Sequence, residues 1–226
     1  PANATTVIIF GYGFDATASN NLVTFNNGAA GTVSAATATQ LTVSLTTGPT
    51  TAGPLNISVT TNSVSSGAAV QVATVAPVVT SSTASLAANA SSVIIAGLGF
   101  DTTLTNDTVV FNNGAVGTVT AATATSLTVS LTTTPTTAGS FSAVVTSNGV
   151  SSGVPIQIAA VTPVVTTTST QVTPGVTTLT ISGFGFDSIA ANNTVVLNGG
   201  AVGTVTAATP TSLSVTLSDK PTSAGS

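Results

Sequence analysis

The chain holds few residues that could do chemistry, and those few recur on a fixed spacing. Asp15, Asp101 and Asp187 stand 86 residues apart (101 − 15 and 187 − 101). Each closes the same short run: Gly11-Tyr12-Gly13-Phe14-Asp15, Gly97-Leu98-Gly99-Phe100-Asp101 and Gly183-Phe184-Gly185-Phe186-Asp187. Loops bearing Asn20 and Asn21, Asn106 and Asp107, or Asn192 and Asn193 follow. Carboxylate, amide and backbone oxygens are what hard cations take, so Asp15, Asp101, Asp107 and Asp187 are candidate calcium ligands. One carboxylate per site is thin for calcium, however, and Asp commonly bonds nearby amides to hold a turn. The turn reading is preferred, and no metal or other cofactor is assigned.

Other chemistries lack their parts. A serine or threonine nucleophile needs an activating base; there is no His or Cys, and the single Lys, Lys220, sits beside Asp219. Asp101 and Asp107 are the only two acids within one loop, and Asn21 and Asn193 replace the second acid in the other copies. A catalytic carboxylate pair is therefore not expected, and the chain is not expected to be an enzyme. One Lys and no Arg cannot neutralise a phosphate backbone, which excludes nucleic acid as a partner. Five triplets fit the N-glycosylation acceptor pattern, beginning at Asn3, Asn56, Asn89, Asn106 and Asn192. The threonine-rich loops would equally accept O-glycans.

The elements that position these residues follow from period-two alternation between turn signals. Apolar, β-branched runs precede every glycine turn: Val7-Ile8-Ile9-Phe10, Val93-Ile94-Ile95 and Leu179-Thr180-Ile181. Each is read as a buried strand entering a turn that carries an aromatic plug, with glycine allowing close approach of backbone. Phe14, Phe100 and Phe186, with Phe25 and Phe111, are expected in the core. The position of Tyr12, Leu98 and Phe184 varies and is expected to be partly exposed. In the second copy the spacing predicts seven strands: residues 78–86, 92–97, 108–112, 116–122, 126–132, 141–146 and 154–159. Asn113-Gly114 and Asn148-Gly149 read as hairpin turns. No helical period is present, and the pattern is that of an antiparallel β-sandwich.

Mean hydropathy is +0.59, yet no run of about eighteen apolar residues exists that could form a membrane helix. The strands are too short and aromatics too few for a membrane barrel. Solubility rests on hydroxyls and amides, with 48 threonines against a charged fraction of 3%. Such a composition, free of cysteine, reads as exported from a prokaryote to the cell surface or beyond, any leader having been removed or lying outside this sequence.

The repeat sets the domains: 1–75 (first strand missing), 76–161 (complete) and 162–226 (last two strands missing). The expectation is a window from a longer polypeptide, or missing strands supplied by a neighbouring chain. Between domains lie Ala73-Thr74-Val75-Ala76-Pro77-Val78-Val79 and Ala159-Ala160-Val161-Thr162-Pro163-Val164-Val165. A proline in so short a β-branched connection stiffens it, and a semi-rigid rod is expected.

Taken together, Val93 to Phe100, Val109 to Asn112, Gly117 to Leu131 and Gly139 to Ile158 resemble the IPT/TIG family of immunoglobulin-like domains. The match recurs in the other copies, and Phe25–Gly53 agrees with Phe111–Gly139 at 25 of 29 positions. The resemblance implies tandem early-set immunoglobulin-like sandwiches. It further implies the stalk or filament of an exported bacterial surface protein, with other copies of the chain or neighbouring repeats as partners. Two alternatives stay open: an adhesin module whose loops bind glycans or cells, and spacer domains of a large secreted enzyme.

Overall fold

The computed structural model describes residues 1–166 and 175–220. The described residues are all-β apart from three short 3-10 turns, and units one and two each fold as two facing, mainly antiparallel sheets. In the second unit one sheet has the order Val116–Thr123, Ser126–Thr133, Ser92–Leu98, Val78–Val79. The other has the order Asp107–Phe111, Gly139–Ser147, Ile156–Thr162, Ser85–Ala87.

Alternation decides which side chains face the space between the sheets. Leu127, Val129, Phe141, Ala143 and Val145 are fully buried, and Val109, Phe111 and Ile156 pack against them. Phe111 and Phe141 stack on neighbouring strands of one sheet, with centroids 4.9 Å apart. Ile94 and Val110, on the outward side of the same strands, are 66% and 68% exposed.

The first strand departs from the sequence reading. It is two strands rather than one, and they belong to different sheets. Val78–Val79 pairs antiparallel with Ser92–Leu98, whereas Ser85–Ala87 pairs parallel with Ile156–Thr162. Between them the chain crosses over, with the Thr80 amide bonded to Ala96 O and the Ser82 amide to Gln157 O. Pairing with both sheets satisfies edge groups that one continuous strand would leave open. The last strand starts at Ile156, two residues later than expected, because Pro155 has no N–H to offer the ladder. Asn148-Gly149 does form a tight hairpin, with φ of 50° and 75°, returning into Val150–Ser151, whereas Asn113-Gly114 is not a hairpin, because the strands it joins, Asp107–Phe111 and Val116–Thr123, lie in different sheets.

Units one and three repeat this plan in part. In unit one Thr6–Phe10, Gln40–Thr47 and Ala30–Ala36 form a three-stranded sheet facing Asn21–Phe25, Gly53–Thr61 and Val70–Val75. In unit three Val164–Val165, Thr178–Phe184, Ser212–Asp219 and Val202–Thr209 form one sheet. The counterpart of Asp107–Phe111 is not a strand there, because the described residues offer it no strand to pair with.

The connections carry no flexible spacer. Val70–Val75 is followed by Val78–Val79, and Ile156–Thr162 by Val164–Val165.

These packings set a contrast between two phenylalanines. Phe141→Ala should destabilise the second unit by about 3–5 kcal/mol. Phe10→Ala, at a side chain 78% exposed, should change stability by less than about 0.5 kcal/mol. Denaturant midpoints of the two variants check both.

Candidate functional site

The recurrent aspartates sit where the Gly-x-Gly-Phe turn enters a one-turn 3-10 helix. In unit one Asp15 Oδ1 accepts the Thr17 amide at 2.7 Å, and Oδ2 accepts Asn20 Nδ2 at 3.1 Å and Asn62 Nδ2 at 3.0 Å. These donors favour the ionised form, the Thr17 amide most, then Asn62 and Asn20, and lower the Asp15 pKa to about 2. Asp101 is lowered by the Thr103 amide first and by Asn148 next; Asp187 is lowered by Asn192 and then the Ile189 amide. Every one of the three carboxylates is thus engaged as a turn brace. Among the described residues no group of three or more acids, histidines or cysteines could hold a metal ion.

Behind each aspartate lies a second residue, and here the copies differ. Asn21 Nδ2 donates to Asp15 O at 2.8 Å and Thr17 O at 3.1 Å, while its Oδ1 accepts the Asp15 amide and the Thr61 hydroxyl. Asn193 repeats the arrangement with Asp187 and Ile189. Unit two has Asp107 instead, and a carboxylate cannot donate. Its Oδ1 still accepts the Asp101 amide at 3.3 Å, but Oδ2 is buried without a partner. The buried Ser147 hydroxyl comes close enough to favour the charge without completing a hydrogen bond, and its Oγ is unpaired as well. Burial pushes the Asp107 pKa up, and the charge of Asp101 adds to the rise.

The five glycosylation triplets are placed on the surface except one. Asn3, Asn89, Asn106 and Asn192 are exposed, and Asn56 is half-buried within Gly53–Thr61. Asn106 and Asn192 spend an amide N–H on Asp101 and Asp187, at 3.2 Å and 2.9 Å.

What the turn does besides bracing was not legible from residue types. Its second glycine is where one unit meets the next. The Ala52 amide donates to Gly99 O at 2.8 Å, and 86 residues on the Ala138 amide donates to Gly185 O at 2.9 Å. A Cβ placed on Gly99 would lie 2.8 Å from the Ala2 Cβ, and one on Gly185 would meet the Ala88 Cβ at 2.5 Å. Asn148 Nδ2 reaches back across the first junction to Ala52 O at 3.1 Å.

The donating loop is itself held in place. Asn27 Oδ1 accepts the Thr51 amide and hydroxyl while Nδ2 donates to Thr51 O, and Asn113 does the same with Thr137. The one available signal was the recurrence of Asn-Asn-Gly together with Pro-Thr-Thr-Ala-Gly, read in the sequence as turns only.

A groove of about 1050 Å³ opens on unit three, lined by Leu179, Ile181, Phe186, Val195, Leu197 and Leu213 among others. Their counterparts in unit two are Val93, Ile95, Phe100, Val109, Phe111 and Leu127, which are core or packed against it. The groove is thus a core face of the sandwich, with Asp187, Asn192 and Asn193 of the turn brace also in its lining.

The IPT/TIG domain model matches residues 1–73. Repeat one is an IPT/TIG domain. Repeat two, which agrees with it at 25 of the 29 positions compared, has the same fold. No curated protein matches the chain.

Among solved structures, InvD of Yersinia pseudotuberculosis is 17% identical, with a TM-score of 0.29, over 80% of this chain and 59% of that one. The plexin A4 extracellular region is 11% identical, with a TM-score of 0.32, over 98% of this chain and 20% of that one. The S-layer protein rSbsC is 14% identical, with a TM-score of 0.25, over 93% of this chain and 31% of that one. The chain spans under two thirds of each. Among the described residues no helix is long and apolar enough to cross a membrane.

Asp107 generates a pH prediction. Its folded-state pKa is raised, so its contribution is most favourable below about 3.8 and is lost as pH rises through the folded value. Asp107→Asn restores the donor that Asn21 and Asn193 supply. The variant should gain about 1–3 kcal/mol at neutral pH, with the advantage shrinking as pH falls toward 3.8. Thermal melts of both proteins from pH 3 to pH 8 measure the difference.

Proposed function

We propose that this chain is a structural rod, the tandem IPT/TIG repeat region of an exported bacterial surface protein that forms a stalk or extracellular filament. The observation that carries the reading is the junction. The same amide-to-carbonyl bond and the same alanine-on-glycine contact occur at both unit boundaries, 86 residues apart. Two matching locks, added to connections of two residues and of one residue between strands, resist bending in a way that a loose tether would not.

The surface fits a load-bearing role in a changing medium. Five Asp and one Lys are the only charged side chains, so little titrates between pH 5 and pH 9 and salt has few surface charges to screen. On this reading the chain is assigned no catalysis, no cofactor and no metal. Its partners are other repeats, in line along the rod or side by side through strand edges such as Val116–Thr123.

Electron microscopy of the purified chain tests the reading. Straight rods advancing roughly 35–45 Å per unit are expected, from strands of six or seven residues near the long axis. Gly99→Val places a side chain against Ala2 at a φ of +80°. It should broaden the bend angle at the first junction and leave the second straight. Particles of the unaltered chain that bend freely at both junctions would overturn the rod.

A further inference from the structure

Asn-Gly pairs occur at Asn27-Gly28, Asn113-Gly114, Asn148-Gly149 and Asn198-Gly199. An asparagine is chemically most labile when glycine follows it, because no side chain then shields the next backbone nitrogen from the asparagine's own side-chain carbonyl. The surroundings of these pairs differ. Asn27 and Asn113 are half-buried, and each is clamped through both its Oδ1 and its Nδ2 by Thr51 or Thr137. A Cβ on Gly28 would lie 2.9 Å from Thr50 Cγ2, and one on Gly114 would lie 3.2 Å from Thr136 Cγ2. At Asn148-Gly149 both residues are exposed, and nothing lies within 4 Å of where a Cβ on Gly149 would stand.

The side chain of Asn148 nevertheless has a task. Its Nδ2 donates to Ala52 O at 3.1 Å, from unit two to unit one. It also stands beside Asp101 and favours that residue's charge. Unit one has the same tight turn at Asn62-Ser63, with φ of 49° and 67° against 50° and 75°. There a serine occupies the place of the glycine.

We propose that Asn148 is a site of spontaneous deamidation, and that its conversion to a carboxylate loosens the contact between units one and two. The Gly149 amide nitrogen attacks Cγ of Asn148. The new N–Cγ bond forms, the Cγ–Nδ2 bond breaks, and Nδ2 leaves as ammonia with the proton given up by Gly149. Water then opens the five-membered imide and leaves aspartate or isoaspartate at position 148. One water is consumed and one ammonia released, with no oxidant or cofactor.

The consequence follows from what the amide was doing. A carboxylate has no N–H to give Ala52 O. Its charge would face that carbonyl oxygen and the Asp101 carboxylate, and like charges so placed repel. Isoaspartate also lengthens the backbone of a two-residue turn by one carbon. The Ala52 amide keeps Gly99 O as its partner at 2.8 Å, but the hold on the Ala52 carbonyl is lost. The second boundary, between Ala138 and Gly185, takes no part, because Asn148 contacts unit one. The inference rests on these contacts and not on the rod reading, so each can fail without the other.

The full chain is incubated folded in mildly alkaline buffer, and its peptic peptides are followed by mass spectrometry for the rise of about one dalton that replacing an amide by a carboxyl brings. Asn148 should convert first, at least about tenfold faster than Asn27 and Asn113, which must give up several hydrogen bonds before they can react. Gly149→Ser, which copies Asn62-Ser63, should suppress the conversion while leaving Asn148 in place. Asn148→Asp should speed hydrogen exchange at the Ala52 amide about tenfold, as the loss of a net hydrogen bond beside a new charge implies, and leave the Ala138 amide unchanged. Conversion of Asn27 or Asn113 ahead of Asn148, or an Asn148 that stays intact in the folded chain, overturns the site. An Ala52 amide as protected in Asn148→Asp as in the unaltered chain overturns the loosening.

Discussion

The whole arrangement depends on two positions in each repeat that have no side chain. At Gly97 the missing Cβ leaves room for the carbonyl of Val78 on one side and the Phe100 ring on the other. Two residues later, Gly99 leaves room for the alanines of the preceding unit and turns its carbonyl to accept Ala52. One short turn therefore admits the first strand, plugs the core with Phe100 and receives the neighbouring repeat. Glycine costs conformational entropy on folding, and here it permits three contacts that any larger residue would push apart.

Holding that turn in shape falls to amides and hydroxyls, because the chain has almost no charge to use. Asp15, Asp101 and Asp187 brace the loop that follows, and Asn21 and Asn193 tie its carbonyls from behind. Asn27 and Asn113 do similar work at the other end of the domain, where they pin the loop that donates across the junction. Asn suits these places since one side chain both accepts and donates. Asp107 shows the consequence of losing the donor half: the geometry persists, and a buried oxygen is left unpaired. A candidate calcium ligand in the sequence is thus, in the fold, a brace or a misfit brace.

A repeat joined this way extends by adding identical contacts, not by forming a new core each time it meets a neighbour. Each boundary is small and made mainly of backbone and methyl groups, with the Asn148 amide added at the first, while units one and two each keep their own interior. Core and junction are thus built from different residues: Phe141 and Leu127 in the first, Ala52, Ala2 and Gly99 in the second.

Much of this was legible in the amino-acid order alone. Alternation is a local property, so Leu127, Val129, Phe141, Ala143 and Val145 could be placed inside before any strand was paired, and all are buried. Asn-Gly likewise announces a tight turn because few other pairs accept positive φ at both positions; Asn148 and Gly149 close a hairpin, whereas Asn113 and Gly114 carry the chain from one sheet to the other. The sequence also determined that polar work would fall mainly to amides and hydroxyls, since five Asp and one Lys are its only charged side chains. Tertiary structure decided the rest. It divided residues 78–86 between two sheets, because pairing depends on which edges stand open nearby. It set Ala52 against Gly99, a contact between residues 47 positions apart (99 − 52) whose types signal nothing by themselves. Alanine and glycine are common and mute in a sequence. Only when two surfaces meet does the absence of a side chain become the feature that lets them touch.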